Sequence, residues 1–321
     1  MAQRQPSLGL TKSSVAPSSL ALAALLLCAA PAAPARAPTD PSPVACNIAG
    51  VAYWSSSRMY CNLLRVAGSW ATADDGNKPL ANFSLATGLP LDDFTVLVAV
   101  VPDTEAFGGT FALSGTCAAP CPDLKIAGWA SPVTFSGLAV SGADFSATLN
   151  FPAPAGSQIA FSVRGTNGGV TALAVLQQGC GASDTLTPAF LAHTARCDAM
   201  RFMDFSAAND NPAVAWANRT APGWANWAGS VRRPDGTPDQ GGPWEVAVEL
   251  CNAAGRDMWV NVPLHANDDY VSSLAHLLLA TLDADLNIYV EYSNELWHVP
   301  SQNKPARRAP TQPNPPKYNN L

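Results

Sequence analysis

The chain has 321 residues, 48% of them apolar, enough core-forming side chains for two ordinary domains or one large barrel, so disorder throughout is excluded. Charged residues make up only 13%, and 18 basic against 24 acidic side chains leave a formal charge of −6. That balance disfavours a nucleic-acid partner, whose phosphates need a basic face, and the one long apolar run, Leu20 to Ala30, is too short to span a bilayer.

The N-terminus reads as a secretory signal over residues 1–37. Arg4 and Lys12 precede the apolar run Leu20 to Leu27, and Ala35-Arg36-Ala37 offers a small-x-small cleavage site, so the mature chain is expected to begin near Pro38 and to be secreted. A buried or membrane-anchoring helix is the alternative. Residues 38–45 form an Ala- and Pro-rich linker. Beyond Cys28, seven cysteines remain: Cys46, Cys61, Cys117, Cys121, Cys180, Cys197 and Cys251. The odd number leaves one unpaired or intermolecular. Disulfides are preferred to zinc because neither a second close pair nor a His pair accompanies Cys117 and Cys121, which could close a small loop. The remaining connectivity is not readable. Asn82-Phe-Ser84 and Asn218-Arg-Thr220 are glycosylation sequons.

The first folded unit is expected over residues 46–79. Ile48 to Trp54 is a short apolar strand, and Met59, Leu63, Leu64 and Ala67 recur at helical spacing up to Trp70, giving one βα unit. Over residues 80–181 the texture changes to alternating Thr, Val, Phe and Ser between Gly and Pro punctuation. Strands are predicted at Phe94 to Val101, Gly109 to Ser114, Leu124 to Trp129, Phe145 to Phe151, Ile159 to Arg164 and Val170 to Gln177, as an inserted antiparallel sandwich. Residues 182–299 return to strand then helix. Ala199 to Asp204, Asp257 to Pro263 and Asn287 to Ser293 read as strands. Trp244 to Ala254 reads as an amphipathic helix, and a second helix runs from Tyr270 to Leu282 behind a cap at Asp268-Asp269. Strand–helix alternation implies parallel pairing. The tail 300–321, with six prolines and no periodic apolar face, is expected to be disordered.

Chemistry concentrates at the predicted carboxyl ends of these parallel strands, where ligand crevices form. Ile288 to Trp297 is a strand ending in an amide and a carboxylate, Asn294 and Glu295. Among Trp and Tyr rings a charged carboxyl would be poorly solvated, which raises its pKa toward the range of a general acid. The competing reading has Asn294 cap a helix with Glu295 in its first turn. His265 lies just past another strand and Arg201 within a third, although Arg201 could simply answer a carboxylate such as Asp204 and His265 could be structural. Glu291, four residues before Glu295 and roughly 13 Å away at strand rise, exceeds both glycosidase carboxylate separations and is not its partner. His265 with Asp268 and Asp269 could hold a metal, but a helix cap explains the acids more simply, and neither metal nor cofactor is expected. No GxSxG, Walker or HExxH motif occurs. Trp54, Trp224, Trp227 and Trp297 are candidate stacking rings for the flat apolar faces of sugars.

Taken together, the segments Trp244 to Pro263, His265 to Tyr270 and Ile288 to Trp297, with Met200 to Phe205, Trp216 to Arg219 and Tyr53-Trp54-Ser55, resemble secreted microbial proteins described as cellulose-binding or glycoside-hydrolase-like, (β/α)8 barrels of glycoside hydrolase clan A. The resemblance covers about Ile48 to Ala73 and Leu186 to Trp297. It implies α/β architecture: a partial (β/α)8 barrel of the first four βα units carrying the inserted antiparallel β-sandwich-like domain. It also implies a retaining mechanism in which Asn294 and Glu295 are the fourth-strand asparagine and acid/base glutamate, with Arg201 and His265 as the second-strand arginine and third-strand histidine. The seventh-strand nucleophile has no counterpart here, and only about 150 of the roughly 250 residues of a barrel are accounted for. A fragment, a mispredicted reading frame or a degenerate relative is therefore expected: a secreted protein acting on cell-wall polysaccharide, or derived from enzymes that do, with little or no hydrolysis as written. A noncatalytic carbohydrate-binding protein is the alternative. In either case the partner is a polysaccharide or oligosaccharide.

Overall fold

Alternation of apolar and polar side chains decides the architecture of the middle of the chain. The computed structural model describes residues 43–100, 108–152, 157–209, 211–228 and 240–295. Strand β4 (Gly109–Cys117) buries Phe111, Leu113 and Cys117 and exposes Thr110, Ala112 and Ser114. Its neighbour β7 (Asp144–Phe151) buries Phe145, Ala147, Leu149 and Phe151 in the same rhythm. Half-solvated antiparallel strands bury one face in this way. With β6 (Thr134–Ser141) and β9 (Val170–Leu176) they form an antiparallel sheet in the order β6-β7-β4-β9.

The second antiparallel sheet has the order β2-β3-β8-β5, from β2 (Trp70–Thr72), β3 (Phe94–Val100), β5 (Lys125–Gly128) and β8 (Gln158–Arg164). Its central strands are covered on both faces. Phe94, Val96, Phe161 and Val163 join the core shared with Phe111, Leu149 and Val175, while Thr95 and Ser162, directly paired across the strands, share a buried hydroxyl hydrogen bond of 2.7 Å.

The remaining residues form a small parallel sheet in the order β1-β10-β11-β12, built from β1 (Ala45–Asn47), β10 (Ala199–Arg201), β11 (Asp257–Val262) and β12 (Ile288–Tyr292). Helix α1 (Pro188–Thr194) precedes β10, with Thr187 capping it by accepting from Phe190 N–H and Pro188 at its first position. Helix α2 (Trp244–Ala254) crosses to β11 and α3 (Asp268–Thr281) to β12. Helix α2 buries Trp244, Val246, Ala247, Val248, Leu250 and Cys251 and stops at Gly255, which adopts the left-handed conformation that lets its N–H and that of Arg256 reach the last carbonyls. Asn267, rather than the expected aspartates, caps α3 by accepting from Tyr270 N–H at 2.9 Å. Asp268 and Asp269 sit in the first turn, complementing the helix dipole.

This overturns the expected partial (β/α)8 barrel. Three four-stranded sheets, two of them antiparallel, dominate the described residues, with three short α-helices among them, and β1 and β12 are opposite edges of a small open sheet. The expected first βα unit is the main reason. The strand predicted over Ile48 to Trp54 forms instead at Ala45–Asn47, in register with Ala199–Arg201, and the predicted helix shrinks to one 3-10 turn at Leu63–Val66. After Gly68, whose N–H donates to Leu97 O, the chain is captured by the sandwich and Trp70 enters β2. Strand closure and a helix after each strand, both required by a barrel, are absent from that unit.

Among the described residues there are three disulfides: Cys46–Cys197 links β1 to the segment before β10, Cys61–Cys180 joins the two ends of the sandwich segment, and Cys117–Cys121 closes a short loop after β4. They fit an oxidising compartment outside the cytosol. Among the described residues no helix is long and apolar enough to cross a membrane. The expected leader 1–37, residues 296–299 including Trp297, and the tail 300–321 lie outside the described residues.

Cys251, the one unpaired cysteine among the described residues, is buried in α2, and burial, with the nearby charge of Asp257, pushes its thiol up to about 12. A leaderless chain should show no thiol reactive with Ellman's reagent at pH 8 while folded and one after denaturation, and Cys251→Ala should abolish that signal.

Asp93 supports the turn between β8 and β9, accepting from Gly165 N–H at 2.8 Å, Thr166 N–H at 2.9 Å and the Thr166 hydroxyl. Burial pushes its carboxyl up, but these donors and the nearby Arg164 outweigh it and hold it below the usual carboxylate range. The stability it contributes is therefore complete above the unfolded value of about 4 and is lost as pH falls through the depressed folded value. Denaturant melts should show Asp93→Asn destabilised at pH 7 and the gap to wild type shrinking below about pH 4.

Candidate functional site

Glu291 is the centre of a hydrogen-bonded cluster at the carboxyl end of the parallel sheet. Residues 259 and 261 of β11 lie two apart and so share a face, and parallel register places Asn261 opposite Glu291 on β12. Arg201, the last residue of β10, reaches the same carboxylate across the intervening strand β11. Glu291 accepts from Arg201 Nε at 3.0 Å and from Arg201 Nη2 at 2.8 and 3.0 Å. It also accepts from Trp259 Nε1 at 3.0 Å and Asn261 Nδ2 at 2.8 Å. The Arg201 and Glu291 side chains are 19% and 28% exposed, so this bidentate pair is partly desolvated and stronger than a surface pair. The guanidinium also lies 5.3 Å from the Trp259 ring centre.

The cluster extends into the segment after β12. Asn294, buried, accepts from Arg201 Nη2 at 2.8 Å and donates through Nδ2 to Asn209 Oδ1 at 3.0 Å. Ser293 and Glu295, on either side of it, both have left-handed backbone (φ 57° and 44°), a conformation uncommon for non-glycine residues and frequent at functional sites. Ser293 N–H donates to Val262 O, and Ser293 O accepts from Asn261 Nδ2 at 2.9 Å, so the sheet end fixes the bend. Glu295 projects from it, exposed.

Asn209 connects this cluster to a cleft of about 550 Å³ between the loops that follow β1 and β10. Trp54, 52% exposed and edge-on to Tyr53, stands at its lip. Asp204 and Asn209 supply polar groups, Ser55 and Ser56 belong to the β1 loop, and Phe205 and Met203 contribute apolar surface. Asp204 accepts from Asn47 Nδ2 at 2.5 Å, which ties the two loops together at the end of the sheet.

Arg201 and Asn294 therefore come together at one end of the parallel sheet, across β11, and Glu295 follows Asn294 directly. Arg201 does answer a carboxylate, but Glu291 and not Asp204. His265 does not join them: it is exposed on the loop after β11. Asp268 and Asp269 occupy the first turn of α3, and Asp269 Oδ2 accepts from Trp216 N–H at 3.0 Å. Glu295 is exposed rather than enclosed by aromatic rings. Trp227 is a core residue, 4% exposed, edge-on to Tyr60 at 5.3 Å and covered by the Arg65 guanidinium at 4.3 Å, so it offers no face to a ligand. Trp224 is half-buried against the same core, its carbonyl accepting from Arg65. Of the four candidate rings Trp54 alone lines the cleft, and Trp297 lies outside the described residues. Sequence reasoning missed Trp259 and Asn261, which the two-residue spacing on β11 could have signalled, and Asp204 and Asn209 as cleft residues, which loops bring in without any periodic signal.

Removing the Glu291 charge would leave Arg201 unpaired in a partly desolvated setting. Glu291→Gln is expected to cost about 1–3 kcal/mol in denaturant unfolding, and an Arg201→Met, Glu291→Gln pair is expected to cost less than the sum of the single changes.

No family model, curated protein or solved structure matches the chain, so what this site does is read from its chemistry.

Proposed function

We propose that this is a secreted, glycoside-hydrolase-like carbohydrate-binding protein that holds an oligosaccharide or a stretch of polysaccharide in the cleft at the carboxyl end of the parallel sheet. The observation that carries the reading is the exposed Trp54 ring at the lip of a cleft lined by Asp204 and Asn209, with Asn209 hydrogen-bonded to the Arg201, Glu291 and Asn294 cluster. Sugars need this combination of an aromatic platform for the ring face and fixed polar groups for the hydroxyls. The three disulfides and the leader read from the sequence support an extracellular setting.

Glu295 is the residue placed to act as a proton donor, exposed next to an Asn that the cluster immobilises. A retaining hydrolysis needs a second carboxylate about 5–5.5 Å from the first, and an inverting one needs a separation of about 6.5–9.5 Å. Glu291 is not available for that role, because its oxygens are already engaged by five hydrogen bonds. Binding without appreciable turnover is the behaviour this arrangement supports.

Retention on insoluble cellulose, xylan and mannan, with tryptophan fluorescence titration against the soluble oligosaccharides, tests the reading. Trp54→Ala should weaken binding by about tenfold or more while leaving the melting temperature near wild type. Glu295→Gln should leave affinity unchanged and should remove any slow release of reducing sugar. Failure of the wild-type chain to bind any of these glycans would refute the proposal.

A further inference from the structure

We infer that the cleft sorts glycans by charge, taking uncharged chains and rejecting those that carry uronate carboxylates. This rests on the carbohydrate reading and adds to it the class of sugar. Among the described residues lining the cleft, Asp204 is the one ionisable side chain, beside Trp54, Ser55, Ser56, Asn209 and small or apolar groups. No Lys, Arg or His is among the described residues of that lining. A volume of about 550 Å³ lies within the range that holds a drug-sized ligand, such as a short oligosaccharide.

The Asp204 carboxylate is exposed and is held in place from one side, where Oδ2 accepts from Asn47 Nδ2. Asn47 is the last residue of β1 and Asp204 follows β10, so two adjacent strands fix the charge at the cleft wall. Arg201, the cation at the same end of the sheet, does not offset it, since its Nε and Nη2 are engaged by Glu291 and Asn294. A neutral pyranose stacked on Trp54 would offer hydroxyl donors to Asp204, and charge-assisted bonds of that kind are about twice as strong as neutral ones. A uronate in the same place would bring a second carboxylate toward the first, with no cation among the described lining residues to compensate. Like charges juxtaposed across an interface oppose binding strongly, and salt screens that opposition.

The test is titration of the full chain with neutral hexasaccharides of β-glucan, xylan and mannan type and with hexagalacturonate, at low and at moderate salt. At least one neutral hexasaccharide should bind, and hexagalacturonate should bind about tenfold more weakly or worse at low salt, the gap narrowing as salt rises. Asp204→Asn, which keeps an acceptor but removes the charge, should close most of the gap. Hexagalacturonate binding as tightly as the best neutral sugar overturns the inference while sparing the carbohydrate reading, and so does a gap that Asp204→Asn leaves intact. Should Asp204→Asn fail to fold, the salt dependence of the wild-type chain decides. If none of the four sugars binds, the carbohydrate reading itself falls, and this inference with it.

Discussion

The neck formed by Cys61–Cys180 is the constraint on which the arrangement of the chain depends. The whole sandwich lies between these two cysteines, 119 residues apart in sequence, whose Cα atoms are 5.6 Å apart. Closing so long a loop removes on the order of 5 kcal/mol of chain entropy from the unfolded state in the loop-closure model. Cys46–Cys197 encloses this bridge. With the inner bridge in place, its separation of 151 less the 119 already spanned leaves about 32 residues to close, so its increment is smaller, about 4 kcal/mol. Hydrogen bonds reinforce the neck: Gln177 N–H donates to Cys61 O, Gln177 Nε2 to Tyr60 O, and Asn62 Oδ1 accepts from both Leu64 and Val175 N–H. Because both ends of the sandwich leave through one point, an insertion of this size can interrupt the parallel unit without separating β1 from β10. The register of Ala45–Asn47 against Ala199–Arg201 then sets the two loops that form the cleft.

Local patterns were legible where apolar residues alternate, run together or recur at helical spacing. Strands β4 and β7 lie close to their predicted positions because Phe and Leu alternate with Ser and Thr there, β3 and β8, covered on both faces, read as apolar runs, β9 lies near its predicted span, and α2 falls where the 3.6-residue period puts it. Strand β6 was missed because most of its residues are exposed, so no apolar alternation marks it. The architecture was not legible because closure of a sheet is a non-local property. A βα-like run at residues 48–70 is compatible with a barrel unit, and only the competition from β3, which captures residues 68–72, shows that it is not one. Helical spacing of Met59, Leu63, Leu64 and Ala67 reflected burial in two different cores, with Met59 in the parallel unit and Leu63, Leu64 and Ala67 under the sandwich. Apolar periodicity reports which side chains are buried, and a loop wedged between two cores can imitate a helix.

The site divides in the same way. That Arg201 and Asn294 lie near one another followed from reading both as residues at parallel strand ends, and they do meet. Glu291 had been considered only by its distance from Glu295 along one strand, whereas its importance lies across strands, to Arg201 on β10 and to Trp259 and Asn261 on β11. Cross-strand partners depend on register, which the chain discloses only once strand order is known. Trp227 shows the opposite error. A Trp in a Gly- and Pro-rich loop suggests an exposed ring, yet this loop folds back so that Trp227 N–H reaches Arg65 O and the ring is packed between Tyr60 and Arg65.

The ion pair also explains why Glu295 is presented to solvent at all. Left-handed backbone costs about 1–2 kcal/mol at a non-glycine residue, and Ser293 and Glu295 both adopt it. The compensation comes from the sheet: Val262 O and Asn261 hold Ser293, and Arg201 and Asn209 hold Asn294. Arg201 is in turn oriented by Glu291, so a carboxylate held by hydrogen bonds across the sheet bears on where the next one, four residues later, emerges. Were Glu291 free to solvent, Arg201 would lose its bidentate partner, Asn294 its fixed donor, and the bend its justification. The engaged glutamate and the exposed one are thus linked through one hydrogen-bonded network, in which the first supplies rigidity to the bend from which the second emerges.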